Sequence, residues 1–421
     1  LDINTYLTGI YASSIGCLQS YYVNQTGIIA PTIAHPDIGY SPDTNFFDPD
    51  NYLTLSAMIY SNDYYIIKEI KNILLRTDDG LNTRSGQLMH HFISLSPTYE
   101  SIAGSEQLGP NIFWSLSVLQ YISITQDSTF AETIFPYIDL SLQYILSFYD
   151  GEKGLFYAPG PLWIDVLVRE HYTSDSNSML VYFLHKIADY YEYMHIDNEF
   201  VMELRQLSDT ISKNIVKYLY DSVSDDHFVT QMNEDGSTRD FVDYDSNLMT
   251  IAYGILKDTS NGSRVINRID NGENTHIRAT WCSEIPYSGN SSDCYIVGGD
   301  YCGDSIVTLA RIGYIDAIAR KQIGDLETFE KLLLLPLQKD LLQYTWLYER
   351  YDSSGNQIRT PYYFEYPSLI TILLREIKYG INIELNKIHI NPFPAQAYNF
   401  SLGFLTIEYN IPNRVVLNLP G

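Results

Sequence analysis

The sequence predicts an all-α fold: an (α/α)6 barrel of six helical hairpins with a short C-terminal β appendage. Three observations predict it. Apolar residues recur at helical spacing in about twelve segments. The connections between these segments alternate in length, a few residues within successive pairs and roughly twenty to thirty-five between pairs. From Ile381 onward the chain instead alternates apolar and polar residues and is punctuated by Pro and Gly.

In chain order the helices are expected at 3–22, 50–61, 63–76, 112–125, 128–148, 172–195, 197–221, 243–256, 259–269, 303–320, 325–345 and 366–379. Within pairs the join is as short as Gln126-Asp127. In DYDSNL, Asp243 or Asp245 is placed to cap the helix at 243, a reading preferred to calcium ligation. The long loops, about 23–49, 77–111, 149–171, 222–242, 270–302 and 346–365, lead into every second helix. Consecutive antiparallel helices put alternate connections at opposite ends, so these loops gather at one end, where a site is expected. No fixed sequence period marks a superhelical repeat array. INIELNKIHINPFP, FSLGFLTIEYN and NRVVLNLPG read as short strands, dividing the chain into a barrel at 1–380 and an appendage packed on it at 381–421.

Lys and Arg number 26 against 51 Asp and Glu, and the formal charge of -25 opposes binding to nucleic acid or to an anionic membrane. No run of about 18 apolar residues occurs, so a soluble protein is expected. The 37 tyrosines offer rings with a polar edge, which suit half-apolar clefts such as sugars occupy as well as cores. Sequons at Asn24, Asn261, Asn290 and Asn399 fit a secreted or lumenal glycoprotein. Cys282, Cys294 and Cys302 crowd one segment while Cys17 stands apart, which fits one local disulfide better than a zinc site. Phosphate-cradling, dinucleotide-binding, H-E-x-x-H and G-x-S-x-G motifs are all missing, so nucleotide, zinc-protease and serine-hydrolase chemistry lose support and no cofactor is implied.

Acidic residues lie beside aromatics in the loops of the elaborate end. PLWIDVLVREHYTSD carries Trp163, Asp165 and Glu170, and TWLYERYDSSGNQIRTPYYFEYPSL carries Glu349, Tyr363 and Glu365. Glycoside hydrolysis needs one carboxylic acid to protonate the leaving oxygen and one carboxylate to activate water or attack carbon, and two separated loops can supply them. A carboxyl beside an indole ring loses hydration and stays protonated nearer neutrality, as a general acid requires. Asp165, two residues from Trp163, meets that description if the loop turns. The competing readings make Asp165 a helix cap, Glu365 a salt-bridged carboxylate at a helix entry, and Glu349 the partner of Arg350.

GPLWIDVLVREHYTSDSNSMLVYFL resembles the segment of six-hairpin glycosidases in which a Trp-x-Asp loop precedes an Asn-containing inner helix, as in glycogen-debranching glucosidases. LYERYDSSG followed by YYFEYPSLITILL is similar to the C-terminal signature of the trehalase family. The resemblance covers most of residues 40–380 and implies Asp165 as general acid and Glu365 as base of an inverting hydrolase. The Gly-rich run before the trehalase base is Pro361-Tyr362-Tyr363-Phe364 here, and the Gln-Glu-Gly-Phe-Gly-Trp motif that follows it is absent, so trehalose is not implied.

Two further loops offer sugar contacts. THIRATWCSEIPYSGNSSDCYIVGGDYCGDS (275–305) carries His276, Arg278, Trp281, Glu284 and Asp304, with Trp281 as a stacking platform; SEQLGPNIFW (105–114) carries Glu106, Gln107, Asn111 and Trp114. His90 and His91 read as packed histidines. The expectation is a glucosidase-like inverting hydrolase of neutral oligosaccharides or glycan termini, with carbohydrate as its partner. A lyase or epimerase on the same barrel and a non-catalytic glycan-binding protein are the alternatives.

Overall fold

The computed structural model describes residues 44–46, 49–60, 64–78, 81–93, 96–101, 104, 106–256, 259–271, 276–277, 279–287, 291–295, 307–330, 348–352, 354–358, 363, 365–393, 397–402, 405–410 and 414–418. In chain order its helices are α1 (Pro49–Met58), α2 (Tyr64–Asp78), α3 (Gly109–Thr125), α4 (Ser128–Leu146), α5 (Ser174–Tyr193), α6 (Asn198–Leu219), α7 (Tyr244–Ala252), α8 (Thr259–Asp270), α9 (Ala310–Ile323), the short α10 (Leu326–Thr328) and α11 (Glu365–Leu373), which runs on into a π-helical turn, Leu374–Lys378. The helix expected at 3–22 and most of that expected at 325–345 lie outside the described residues.

Helices α1, α3, α5, α7, α9 and α11 pack each against the next, and α11 returns to α1, closing a ring. The intervening helices lie outside it and pack on their own hairpin partners. Sequence pattern sorts the layers. Helix α6 buries Val201, Leu204, Ser208, Ile211, Ile215 and Leu219, a single stripe at helical spacing. Helix α3 is buried on every side from Gly109 to Leu119, as an inner wall must be. The architecture is the expected (α/α)6 barrel.

The connections into the inner helices are more ordered than loops. Strands β1 (Thr44–Phe46), β2 (His91–Ile93) and β3 (Ser96–Thr98) form one small sheet, and β4 (Tyr149–Asp150) pairs with β5 (Leu155–Phe156). β6 (Tyr172–Thr173), β7 (Gln231–Met232) and β8 (Thr238–Arg239) form another. β9 (His276–Ile277), β10 (Ala279–Trp281), β11 (Val307–Leu309), β12 (Arg350–Asp352) and β13 (Gln357–Ile358) make a five-stranded antiparallel sheet in the order β13-β12-β11-β10-β9. The helix expected from 303 therefore begins only at Ala310, because Val307-Thr308-Leu309 is drawn into a ladder with Arg350-Tyr351-Asp352.

Three inner helices secure these connections with the same residue. Asn177 accepts from the Phe156 N–H (2.8 Å) and donates to the Phe156 and Thr173 carbonyls (both 3.0 Å). Asn247 does the same with the Phe228 N–H (2.7 Å) and the Phe228 and Asp243 carbonyls (3.2 and 2.8 Å). Asn111 accepts from the Leu88 N–H (2.9 Å) and donates to the Gly86 carbonyl (2.8 Å). Gly86, at φ +76°, is irreplaceable there, since a Cβ would sit 2.1 Å from the Leu140 carbonyl oxygen. An amide side chain satisfies a buried peptide's donor and acceptor together, and leaving such a peptide unpaired costs about 1–3 kcal/mol.

The C-terminal stretch forms the expected strands: a hairpin of β14 (Ile381–Glu384) and β15 (Lys387–Ile390), then a meander of β16 (Tyr398–Leu402), β17 (Leu405–Asn410) and β18 (Arg414–Asn418). Gly380, at φ +65°, turns the chain into the hairpin where a Cβ would lie 1.9 Å from the Asn391 carbonyl carbon. The hairpin tip caps the end of the barrel opposite the small sheets: the Leu385 N–H donates to Ser123 Oγ (2.8 Å), and the Gln126 amide donates to the Leu385 carbonyl. Among the described residues no helix is long and apolar enough to cross a membrane.

Candidate active site

Arg311, the second residue of α9, ties the two acidic loops together. Its main-chain N–H donates to Glu365 Oε1 (2.6 Å), its Nε to both Glu365 oxygens (3.2 and 3.3 Å) and its Nη2 to Oε2 (2.9 Å). Its Nη1 donates to the Trp163 carbonyl (2.8 Å). One guanidinium thus joins the start of α11 to the Trp163–Asp165 segment. Glu349 stands just ahead of β12, whose Arg350 lies opposite Leu309 at the entrance to α9. It is 2% exposed, with Oε1 2.5 Å from Arg350 Nη2, while Oε2 receives no hydrogen bond from any described residue.

Asp165 sits at the tip of a tight turn closed by the Leu167 N–H on the Ile164 carbonyl (3.2 Å), and it is half-buried rather than a helix cap. The segment pairs with residues 293–295: the Tyr295 N–H donates to the Val166 carbonyl and the Val168 N–H to the Asp293 carbonyl, both at 2.9 Å. Glu170, at the end of this segment, is half-buried and accepts from the Tyr295 hydroxyl (2.9 Å).

Beneath the segment lies an ionic cluster. Arg169 is fully buried, with Nη1 donating to Asp175 (3.0 Å) and Asp245 (2.6 Å), and Nη2 donating to Asp245 (3.0 Å) and lying 3.0 Å from Asp243 Oδ2. The Tyr287 hydroxyl donates to Asp243 Oδ1 (2.5 Å). The aspartates stand at the entries to α5 and α7, so Arg169 anchors the Asp165 segment to both. Asp243 holds the N-cap position of α7 but, unlike the expectation, makes no side-chain cap there, because its carboxylate turns to Tyr287 and the buried guanidinium; Asp245 also turns to Arg169 while accepting from the Ser246 N–H.

Three carboxylates around one guanidinium are over-compensated. Burial pushes Asp243 up to about 7, and Asp245 adds to the shift while Arg169 opposes it. Asp245 is raised for the same first reason. The folded value of Asp243 lies above its ordinary 3.8, so the native state holds the extra proton. The stability this group contributes is full below the ordinary value and is lost as pH rises through about 7. Asp243→Asn keeps the contact with Tyr287 and removes the titration. Thermal unfolding across this range should show a smaller fall in Tm with rising pH than the parent protein shows; an identical fall would place the titration elsewhere.

Other expected contacts are placed differently. Trp163 is 1% exposed and stacks on Phe113 at 5.4 Å, so it is a wall behind Asp165 and not an open platform. Asn111 and Trp114 are structural: Asn111 is the loop latch described above, and the Trp114 indole N–H donates to the Leu74 carbonyl (3.1 Å) in the core, since the chain needs those groups to satisfy buried backbone. Tyr363 is buried. Glu284 is held by Arg268 through Nε (3.0 Å) and Nη2 (2.7 Å). Trp281 falls in β10, and Arg278 and Asp304 lie outside the described residues. Cys282 carries a free, buried thiol that burial pushes up to about 11, whereas Cys294 is disulfide-bonded; Cys17 and Cys302 lie outside the described residues. Arg311 was not singled out by sequence, although an arginine between Ala310 and Ile312 at the start of an inner helix signals a buried partner.

No family model matches the chain, and no curated protein sequence matches it. Solved structures do. A GH78-family rhamnosidase from a Bacillus species superposes with a TM-score of 0.65 at 13% identity, over 96% of this chain and 39% of that one. A GH63 mannosylglycerate hydrolase from Thermus thermophilus gives 0.65 at 9% identity, over 87% of this chain and 100% of that one. A rhamnosidase from Klebsiella oxytoca, with rhamnose bound, gives 0.61 at 11% identity, over 89% and 64%. The chain thus spans well under half of the first of these proteins and the whole of the second. It has the fold of these glycosidases, the six-hairpin (α/α)6 barrel.

Proposed function

We propose that this protein is an inverting glycoside hydrolase acting on a neutral oligosaccharide or glycan terminus, with Asp165 as general acid and Glu349 as general base. The observation that carries the reading is the convergence on Arg311 of the Asp165 segment and the start of α11, with Glu349 alongside, at the ordered end of the barrel. Asp165 protonates the glycosidic oxygen. Glu349 draws a proton from the water that attacks the opposite face of the anomeric carbon, which requires the two carboxyls about 6.5–9.5 Å apart.

We assign the base role to Glu349 in place of the Glu365 that the resemblance implies, and the hydrogen bonds to their oxygens support the choice. Both oxygens of Glu365 are engaged by Arg311, so its lone pairs are occupied and its role is to fix the guanidinium that holds Trp163. Glu349 Oε2 is buried and accepts from no described residue, and in this reading it takes the proton of a water admitted with the substrate. That the superposing structures are rhamnosidases and a mannosylglycerate hydrolase supports the reaction class.

Assays of reducing-sugar release from a panel of neutral disaccharides and glycans test the reading. Glu349→Gln should lower turnover on the best substrate by about 100-fold or more with the fold retained. Glu365→Gln should chiefly lower thermal stability. Normal turnover in Glu349→Gln returns the base role to Glu365, and an ultraviolet-absorbing unsaturated product replaces hydrolysis with a lyase reaction.

A further inference from the structure

The β7–β8 hairpin holds the segment that carries Asp165 at two further points. Arg239, the last residue of β8, donates from Nη1 to the Val168 carbonyl (3.1 Å), and its Nη2 is paired with Asp293 Oδ1. Gln231, opposite Arg239 in β7, accepts from the Glu170 N–H through Oε1 (3.0 Å). The Val168 N–H donates to the Asp293 carbonyl (2.9 Å). Val168 is thus gripped at both polar groups of its main chain, the N–H by the Asp293 backbone and the carbonyl by an arginine that the Asp293 carboxylate orients.

The guanidinium is stacked as well as bonded. It lies over the Phe241 ring at 5.2 Å, Phe241 stacks on Tyr287 with centroids 4.0 Å apart, and the Tyr287 hydroxyl donates to Asp243. A planar fork with one arm on a carbonyl and the other on a carboxylate has a fixed orientation, which an ammonium on a flexible stem would lack. The side chains of Arg239 and Asp293 are 22% and 12% exposed, whereas Arg169 and its aspartates are fully buried. Removing Arg239 therefore leaves Asp293 within reach of water and strands no buried charge.

We propose that Arg239 is a positioning residue for the general acid: it locks the Val168 peptide against Asp293 and so sets where the turn at Ile164–Leu167 holds the Asp165 carboxyl. The catalytic part of this role rests on the hydrolytic reading of Asp165. Proton transfer to a leaving oxygen needs heavy atoms about 2.6–3.2 Å apart, and a displacement of about 1 Å can cost on the order of 100-fold in rate. Asp165 stands three residues before Val168, so slack at that peptide is passed directly to the acid. Arg239 acts through the main chain and takes no part in the proton transfer itself.

Two measurements on Arg239→Gln test this: steady-state kinetics on the neutral disaccharide that the panel identifies and on the matching glycosyl fluoride, and amide hydrogen exchange of the full chain without substrate. On the disaccharide kcat should fall about ten-fold or more with KM within about two-fold of the parent's, while the rate on the fluoride, which leaves without a proton, stays within about two-fold. Exchange across residues 164–168 should quicken about five-fold or more while that of α5 and α7 is unchanged. Asp293→Asn keeps an oxygen for Nη2 and should lie between the parent and Arg239→Gln on each readout. An equal loss on disaccharide and fluoride would make Arg239 a merely structural residue and overturn the proposal, as would unchanged kcat or unchanged exchange. Full turnover in Asp165→Asn would remove the acid reading and this role with it, while faster exchange in Arg239→Gln would still show the lock on Val168, so the two failures are told apart.

Discussion

Asp165→Asn is expected to lower kcat on an unactivated glycoside by about 1,000-fold, within the range that a positioned general acid contributes. The same variant should recover most of its rate on the corresponding glycosyl fluoride, because fluoride departs without needing a proton. The physical basis is local. The turn at Ile164–Leu167 presents Asp165 at the rim, with Trp163 packed behind it on Phe113 and the segment tied to Arg311 at one end and to Arg169 at the other. Asn fills the same volume in that turn, so the variant tests proton donation and not packing. Steady-state kinetics on the two substrates decide: an equal loss on both would make Asp165 a structural residue. Glu349→Gln should behave in the opposite way and lose activity on both, since water must be activated whichever group leaves.

Arg169→Met carries the largest expected effect on stability. Asp175, Asp243 and Asp245 are fully buried around its guanidinium, and removing the cation leaves carboxylates with neither water nor a counter-charge. Breaking a buried pair in this way typically costs about 3–5 kcal/mol. The loss should shrink on acidification, because protonating the aspartates removes the uncompensated charge that the substitution exposes. Denaturant unfolding at pH 8 and pH 5 measures both points. A variant as stable as the parent at pH 8 would mean that the cluster relaxes into solvent, and the anchoring of the Asp165 segment would have to come from its pairing with residues 293–295 alone.

The barrel was readable because its two signals are local: apolar spacing within each helix, and the alternation of short and long joins that places the joins at opposite ends. The small rim sheets were not, since strands of two or three residues such as Tyr172-Thr173 and Gln231-Met232 are fixed by partners some sixty residues away and carry no periodicity of their own. The proximity of Trp163, Asp165, Arg169, Glu170 and Asp175 in sequence was visible, but its reason was not, because Arg169 finds Asp245 76 residues further along. One signal was available. Asp-Ser-Asn recurs at 175–177 and 245–247, and in both copies the Asp binds Arg169 while the Asn latches the preceding connection. Asn111 was placed among the sugar contacts because its loop leads into the barrel mouth, whereas it satisfies backbone that the fold itself buries. That Arg311 reaches Glu365, the observation behind proposing Glu349 as base, was not legible in the sequence.

The most direct measurement of the central claim follows the anomeric proton of the sugar first released from a neutral glycoside by NMR, before mutarotation. A water activated across the sugar from Asp165 must yield the inverted anomer as the initial product. Release of the retained anomer would contradict the account, because it requires a carboxylate to attack carbon itself.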